Sequence, residues 1–130
     1  MKINNVTIAG AGVLGSQIAW QTAFMGFNVI VYAPSDRGLE RCMRTHQQFA
    51  ELFMKTRGAS QQEIDQTHGR LSYTKDLAEA VKDADIISES IPEDVEVKKR
   101  FYTELAKVAP EKSICTTNSS TTLPSEYAEE

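Results

Sequence analysis

Only two cysteines occur in the 130 residues, Cys42 and Cys115, and neither forms a CxxC pair or has a histidine at ligand spacing. This excludes a disulfide scaffold or zinc ribbon, leaves no metal site, and reads both thiols as buried and reduced. Histidine is equally scarce: His46 and His68 fall in a helical pattern and read as ordinary surface or packing residues. No apolar run reaches membrane-spanning length, and Met1-Lys2 leads into asparagines and glycines instead of a signal-peptide core. The 14 basic residues are interspersed among 18 acidic ones, for a net charge of -4 and a pI near 5.2. With no basic stripe interleaved with aromatics, nucleic acid is excluded as an expected partner. Linkers, repeats and low-complexity tracts are also missing. The chain reads as one soluble, cytoplasmic globular domain whose 41% hydrophobic residues suffice for a core.

Five short apolar runs read as strands, around Val6 to Ala9, Val29 to Tyr32, Leu71 to Thr74, Asp85 to Ser90 and Ser113 to Thr116. They are largely unalternating, as in strands covered on both faces. A helix is expected from about Leu14 to Met25, with Leu14, Ile18 and Thr22 stacked and Gly26 as its stop. Leu39, Cys42, Met43, Phe49, Leu52 and Phe53 recur at helical spacing and predict a long amphipathic helix closed by Gly58. Ser60 and Glu63 form a capping box for a short helix ending near Gly69, and further helices fit Asp76 to Lys82 and Pro92 to Val108. Strands alternating with helices predict an α/β fold, a Rossmann-type doubly wound parallel sheet. The chain stops at Glu130 inside a helical pattern, one strand short of a six-stranded dinucleotide fold, so an excised domain or truncated gene is expected.

Gly10, Gly12 and Gly15 make GxGxxG between the first strand and the first helix. Gly10 permits a tight turn, Gly12 lets backbone approach a pyrophosphate, and Gly15 lets helix and strand pack closely. The phosphates would rest on helix N-terminal amides, so Gly10, Ala11, Gly12, Val13, Leu14 and Gly15 are the candidate cofactor-binding residues. A structural turn explains the same glycines when they stand alone, but this turn lies inside a βαβ unit of about 30 residues, which raises dinucleotide binding above it. GVLGSQ lacks the Lys and Ser/Thr of a P-loop. Ala33 stands where an NAD site usually carries an acid for the ribose hydroxyls, so NAD is the expected cofactor with NADP not excluded. Ser35 and Arg37 are candidates to bind a 2′-phosphate; alternatively Ser35 or Asp36 caps the next helix and Arg37 is solvated.

The segment DADIISESIPEDVEVKKRFYTELAKVAPEKSICTTNSSTTLPSEYA, Asp83 to Ala128, together with AGAGVLGSQIA near the start, resembles the NAD-binding domain of 3-hydroxyacyl-CoA dehydrogenases, of the 3-hydroxybutyryl-CoA dehydrogenase-like kind. The resemblance spans nearly the whole chain, and IPED, VKK and TNSS are its most selective parts. It implies that Glu93 and Lys98 line the nicotinamide side, that Asn118 holds the adjoining loop, and that Ser120 is a catalytic residue near the substrate oxygen. Read without it, Glu93 is a first-turn acid, Lys98 a surface base and NSSTT a capping turn. Leu14, Ser88, Ala33 and the Ser120 to Thr122 tail depart from the family pattern and imply a divergent branch, and Ser88 in a core strand needs a hydrogen-bond partner. The resemblance further implies hydride transfer between NAD and the C3 hydroxyl of a 3-hydroxyacyl-CoA, with a histidine base and glutamate lying past residue 130. It also implies a helical substrate and dimerisation domain absent here, a homodimeric parent, and a fragment that binds cofactor without turnover. Two other readings stand beside it: a cofactor domain of another hydroxy-acid dehydrogenase, such as a hydroxyisobutyrate-type enzyme, and a non-catalytic dinucleotide-binding protein.

Overall fold

A computed structural model describes residues 3–91, 95–111 and 113–117. The elements run β1 (Asn5–Ala9), α1 (Val13–Phe24), β2 (Asn28–Tyr32), α2 (Asp36–Thr56), α3 (Gln61–Arg70), β3 (Leu71–Thr74), α4 (Leu77–Val81), β4 (Ile86–Glu89), α5 (Val95–Val108) and β5 (Ile114–Thr117). All four strand pairings are parallel, in the order β3-β2-β1-β4-β5. The order reverses at β1, so β1 and β4, which are not consecutive in sequence, lie side by side with their following segments diverging to opposite faces.

Alternation along the strands feeds the two faces. Val6 and Ile8 of β1 with Val29 and Val31 of β2 join Ala19 and Ala23 of α1 and Leu39 and Cys42 of α2 in one core. On the other face Ala9 and Ile87 meet Ala80 and Val81 of α4 and Phe101 and Leu105 of α5. A satellite cluster of Trp20, Ala50, Phe53, Ala59 and Ile64 ties α1 to α2 and α3. Asp85, only 7% exposed, accepts hydrogen bonds from the Asn4 and Asn5 backbone N–H groups at 2.9 and 3.0 Å, pinning the start of β1 to β4. Thr7, buried in β1, donates its hydroxyl to the Ala80 carbonyl and so satisfies a polar group inside the sheet.

Three expectations are corrected. The buried face of α1 is Gly15, Ser16, Ala19, Trp20 and Ala23, not the Leu14–Ile18–Thr22 row, and Leu14 is 47% exposed. Gly15, Ser16, Ala19 and Ala23 bring the helix close to the sheet, Trp20 fills the satellite cluster with α2 and α3, and Val13 and Leu14 are turned outward. On α2 the buried row is Leu39, Cys42, His46, Ala50 and Phe53, while Met43 and Leu52 are exposed. Cys42 is buried as expected, but Cys115 on β5 is exposed. Ser88 is buried on β4, in register with Ile8 and Thr116. No described helix is long and apolar enough to cross a membrane.

Candidate dinucleotide site

Register carries three chain segments to one edge. Ala9 stands opposite both Tyr32 and Glu89, so Gly10, Ala33 and Ser90 leave the sheet side by side at its carboxyl end. Hydrogen bonds from Gly10 N–H to the Tyr32 carbonyl, at 2.9 Å, and from Ser90 N–H to the Ala9 carbonyl, at 2.8 Å, fix that edge. Above it opens a cleft of about 990 Å³ lined by the glycine turn, the end of β2, the start of α2 and one side of α5. This is the crevice where open α/β sheets bind ligands.

The three glycines do different work. Gly10 has φ +123°, and a Cβ there would fall 2.6 Å from the Ser90 carbonyl oxygen. A Cβ on Gly15 would fall 2.1 Å from the Gly10 carbonyl oxygen, so this glycine lets α1 close onto the turn itself. A Cβ on Gly12 would meet nothing within 4 Å. Gly12 is therefore not required by packing, and its backbone is bare toward open space.

The start of α1 also differs chemically from its neighbours. Ser35, Ser60 and Asp76 each place a side-chain oxygen on an N-terminal amide of α2, α3 and α4. Gly12, the N-cap of α1, has no side chain to do so, and the first turn of α1 carries no acid. The amides opening α1 thus face the cleft without a side-chain acceptor, beside exposed Val13 and Leu14. A diphosphate fits this arrangement by charge and by shape, since the partial positive end of the helix is uncovered and the approach is clear.

At the end of β2, Ala33 is 4% exposed and donates its N–H to the Thr74 carbonyl at 3.2 Å. Ser35 takes the capping role, accepting from Gly38 N–H at 3.2 Å. Asp36 pairs with Lys75 at 3.1 Å on the exposed rim. Arg37 is exposed and does not line the cleft, whereas Arg41, one turn further along α2, does. Of the two sequence readings for this segment, the cap is the one seen for Ser35. Tyr32 also lines the cleft, and burial, then Asp76 and Glu104, push its phenol above its ordinary value.

Lys98 lies inside. Its side chain and that of Glu89 are both fully buried, with Nζ 3.5 Å from Oε1. Glu89 also accepts from the Ile91 N–H at 2.6 Å and from the Tyr102 hydroxyl at 3.3 Å. The surface-base reading of Lys98 is thereby overturned, and the cleft is lined from α5 by Val97, Arg100, Phe101 and others, without Lys98. Burial, with Cys115 and Glu89 next, raises the Tyr102 pKa well above the ordinary phenol. Glu93, Asn118 and Ser120 lie outside the described residues.

Sequence reasoning missed Glu89, and left His46 open between a surface and a packing residue. Glu89 carried a signal, an acid inside a run read as a core strand, which requires a buried partner. His46 sits on the apolar row of α2; its Nε2–H donates to the Ser16 carbonyl at 2.9 Å, and the Tyr73 hydroxyl donates to Nδ1 at 2.6 Å. It packs behind the first turns of α1, as a packing histidine, and Trp20 stacks obliquely on its ring at 5.7 Å. His68 is exposed and meets Trp20 edge-on. The described residues contain no cluster suited to a metal ion.

Known proteins agree with this geometry. The family model for the 3-hydroxyacyl-CoA dehydrogenase NAD binding domain matches residues 5–130. A probable 3-hydroxyacyl-CoA dehydrogenase of Caenorhabditis elegans is 33% identical over 98% of this chain and 44% of its own length. A probable 3-hydroxybutyryl-CoA dehydrogenase of Bacillus subtilis is 32% identical over 92% of this chain and 42% of its own. Among solved structures, a diketoreductase described in dual catalysis of dicarbonyl compounds superposes with a TM-score of 0.93 and 43% identity, covering 99% of this chain and 46% of that one. The 3-hydroxybutyryl-CoA dehydrogenase of Escherichia coli superposes with a TM-score of 0.92 at 28% identity, covering all of this chain and 27% of that one. The chain thus spans less than half the length of these relatives. A parallel sheet with its switch point at β1, an uncapped glycine turn and a family match from residue 5 onward make this chain a member of the NAD-binding-domain family of 3-hydroxyacyl-CoA dehydrogenases.

Proposed function

We propose that this chain is the cofactor-holding part of an oxidoreductase that moves hydride between NAD and the C3 hydroxyl of a 3-hydroxyacyl-CoA. The observation that carries this reading is Gly12: a residue with open space where its Cβ would stand, capping a helix whose N-terminal amides no side chain covers. When bound, NAD supplies the hydride acceptor. The protein's own share is to grip the diphosphate on the amides following Gly12, seat the adenosine end between Ala33 and α5, and offer the exposed apolar Val13 and Leu14 as a surface for the cofactor to cover. Glu93, Lys98, Asn118 and Ser120 are proposed for the nicotinamide end, with Ser120 at the substrate oxygen; support comes from their match to the family motif, while Lys98, buried against Glu89 and outside the cleft lining, would act through Glu89 instead of touching the cofactor.

Proton removal needs a base within hydrogen-bond reach of the hydroxyl. His46 is sealed behind α1 and His68 is remote from the cleft lining. The family resemblance implies that the base lies past residue 130, and the isolated chain is expected to bind without turnover. Trp20, the one tryptophan, stands about 10 Å along α1 from its start, within range of energy transfer to a reduced nicotinamide. Titration with NADH is expected to quench its emission with a submillimolar Kd, and 3-hydroxybutyryl-CoA with NAD is expected to give no NADH. Turnover by the chain alone would remove the assignment of the base, and an absence of quenching together with an absence of bound NADH on dialysis would remove the cofactor reading.

The 43% identity to the diketoreductase favours a second reading of the substrate as a dicarbonyl compound. The two are chemically close, because a 3-oxoacyl thioester itself carries two carbonyls in 1,3 relation.

A further inference from the structure

We propose that the adenosine end of the cleft accepts a 2′-phosphate, so that this chain binds NADPH comparably to NADH. The inference rests on the dinucleotide reading and concerns the segment from β2 into α2. An acid ending β2 does two things: it accepts the ribose hydroxyls and it repels a phosphate there. Ala33 does neither, and its buried methyl leaves the floor of the site uncharged.

The surroundings extend the same chemistry. From this segment the cleft is lined by Tyr32, Ala33, Pro34, Ser35, Gly38 and Arg41, a set without an acid and with one cation. Gly38 keeps the surface low: a Cβ there would come 3.3 Å from Ser35 Oγ and 3.6 Å from the Ala33 methyl. Arg41 stands three residues on from Gly38, on the same side of α2, and both line the cleft. Arginine suits the role because its planar fork can pair with two phosphate oxygens. The nearest acid in sequence, Asp36, is absent from the lining and is held by Lys75 at 3.1 Å. The acids that do reach the cleft, Asp76 and Glu104, enter from α4 and α5 together with Arg100, and Asp76 is engaged in capping α4 through Glu79 N–H.

The test is calorimetric titration of the chain with NADH and, separately, NADPH at one fixed ionic strength, for the native sequence, Arg41→Gln and Ala33→Asp. The two native Kd values are expected to agree within about tenfold. Arg41→Gln, at an exposed position, is expected to lower the ratio of NADPH to NADH affinity about tenfold, and Ala33→Asp to lower it further. If NADH binds and NADPH is more than about tenfold weaker, or if Arg41→Gln leaves the ratio unchanged, the inference fails while the dinucleotide reading stands. If neither nucleotide binds, it is the dinucleotide reading that fails.

Discussion

Gly12 and Gly15 sit three residues apart and make opposite predictions. Gly12→Ala adds a methyl where nothing lies within 4 Å, at φ -77° and ψ -166°, which any residue adopts. Its stability should stay within about 1 kcal/mol of the native chain, while its NADH affinity falls at least about tenfold because the methyl stands on the diphosphate's path. Gly15→Ala forces a methyl against the Gly10 carbonyl and should cost about 1–3 kcal/mol before any ligand is added. Urea unfolding beside NADH titration separates the two effects, and equal stability losses for both would show that Gly12 is merely structural. A third residue gives a pH dependence. Burial, and then the neighbouring His68, hold His46 below its ordinary value of 6.5, although the Ser16 carbonyl works in the other direction. The unfolded chain thus takes up the proton first, so this contribution is whole above about pH 6.5 and is lost as pH falls below it. Thermal melts from about pH 7 to pH 5 should show a steeper fall for the native chain than for His46→Gln. The glycine turn was legible because its spacing is itself the physical requirement. Glu89 was not, and His46 was legible only as surface or packing, because what makes them buried is the partner each meets, Lys98 and the Ser16 carbonyl, and those partners lie nine and 30 residues away.

Among the elements, the helix starts divide by whether a side chain covers their amides. Ser60 and Glu63 exchange both hydrogen bonds of a capping box, at 3.1 and 2.9 Å. Ser60→Ala should therefore cost about 1 kcal/mol, read as a lowered urea midpoint at unchanged slope. NADH affinity should not move with it, since α3 contributes nothing to the cleft lining. The capping box and the strand positions could be read from sequence, since β-branched runs and Ser-x-x-Glu are local signals. The orientation of α1 could not: Leu14, Ile18 and Thr22 make a plausible stripe, yet the face that meets the sheet is chosen by how closely Gly15 and Ala19 allow approach. Val13 and Leu14 then turn outward and become the apolar edge of the cleft.

On the scale of the whole molecule, the strand order β3-β2-β1-β4-β5 places the cleft, and the Glu89–Lys98 pair holds its two sides in place. Glu89 ends β4 beside the glycine turn, and Lys98 and Tyr102 reach it from α5, so one carboxylate joins sheet, loop and helix. Lys98→Met removes a fully buried charge and leaves its partner uncompensated, which should cost about 3–5 kcal/mol, a large share of the stability of a domain this size. The double variant Lys98→Met/Glu89→Gln should recover part of that loss in urea unfolding; no recovery would mean that the two groups are not coupled. The parallel, doubly wound sheet was foreseeable from alternating strands and helices, whereas the buried pair depends on a crossover landing within angstroms. The central claim is that the uncovered amides opening α1 grip a dinucleotide diphosphate. The most direct measurement is the amide proton–nitrogen correlation spectrum of the 14.5 kDa chain during titration with NADH. The account predicts that the largest shifts fall on Ala11 to Gly15, with smaller ones at Ala33 and Ile91. Shifts that leave Ala11 to Gly15 in place while NADH binds elsewhere, or no shifts at saturating nucleotide, would contradict it.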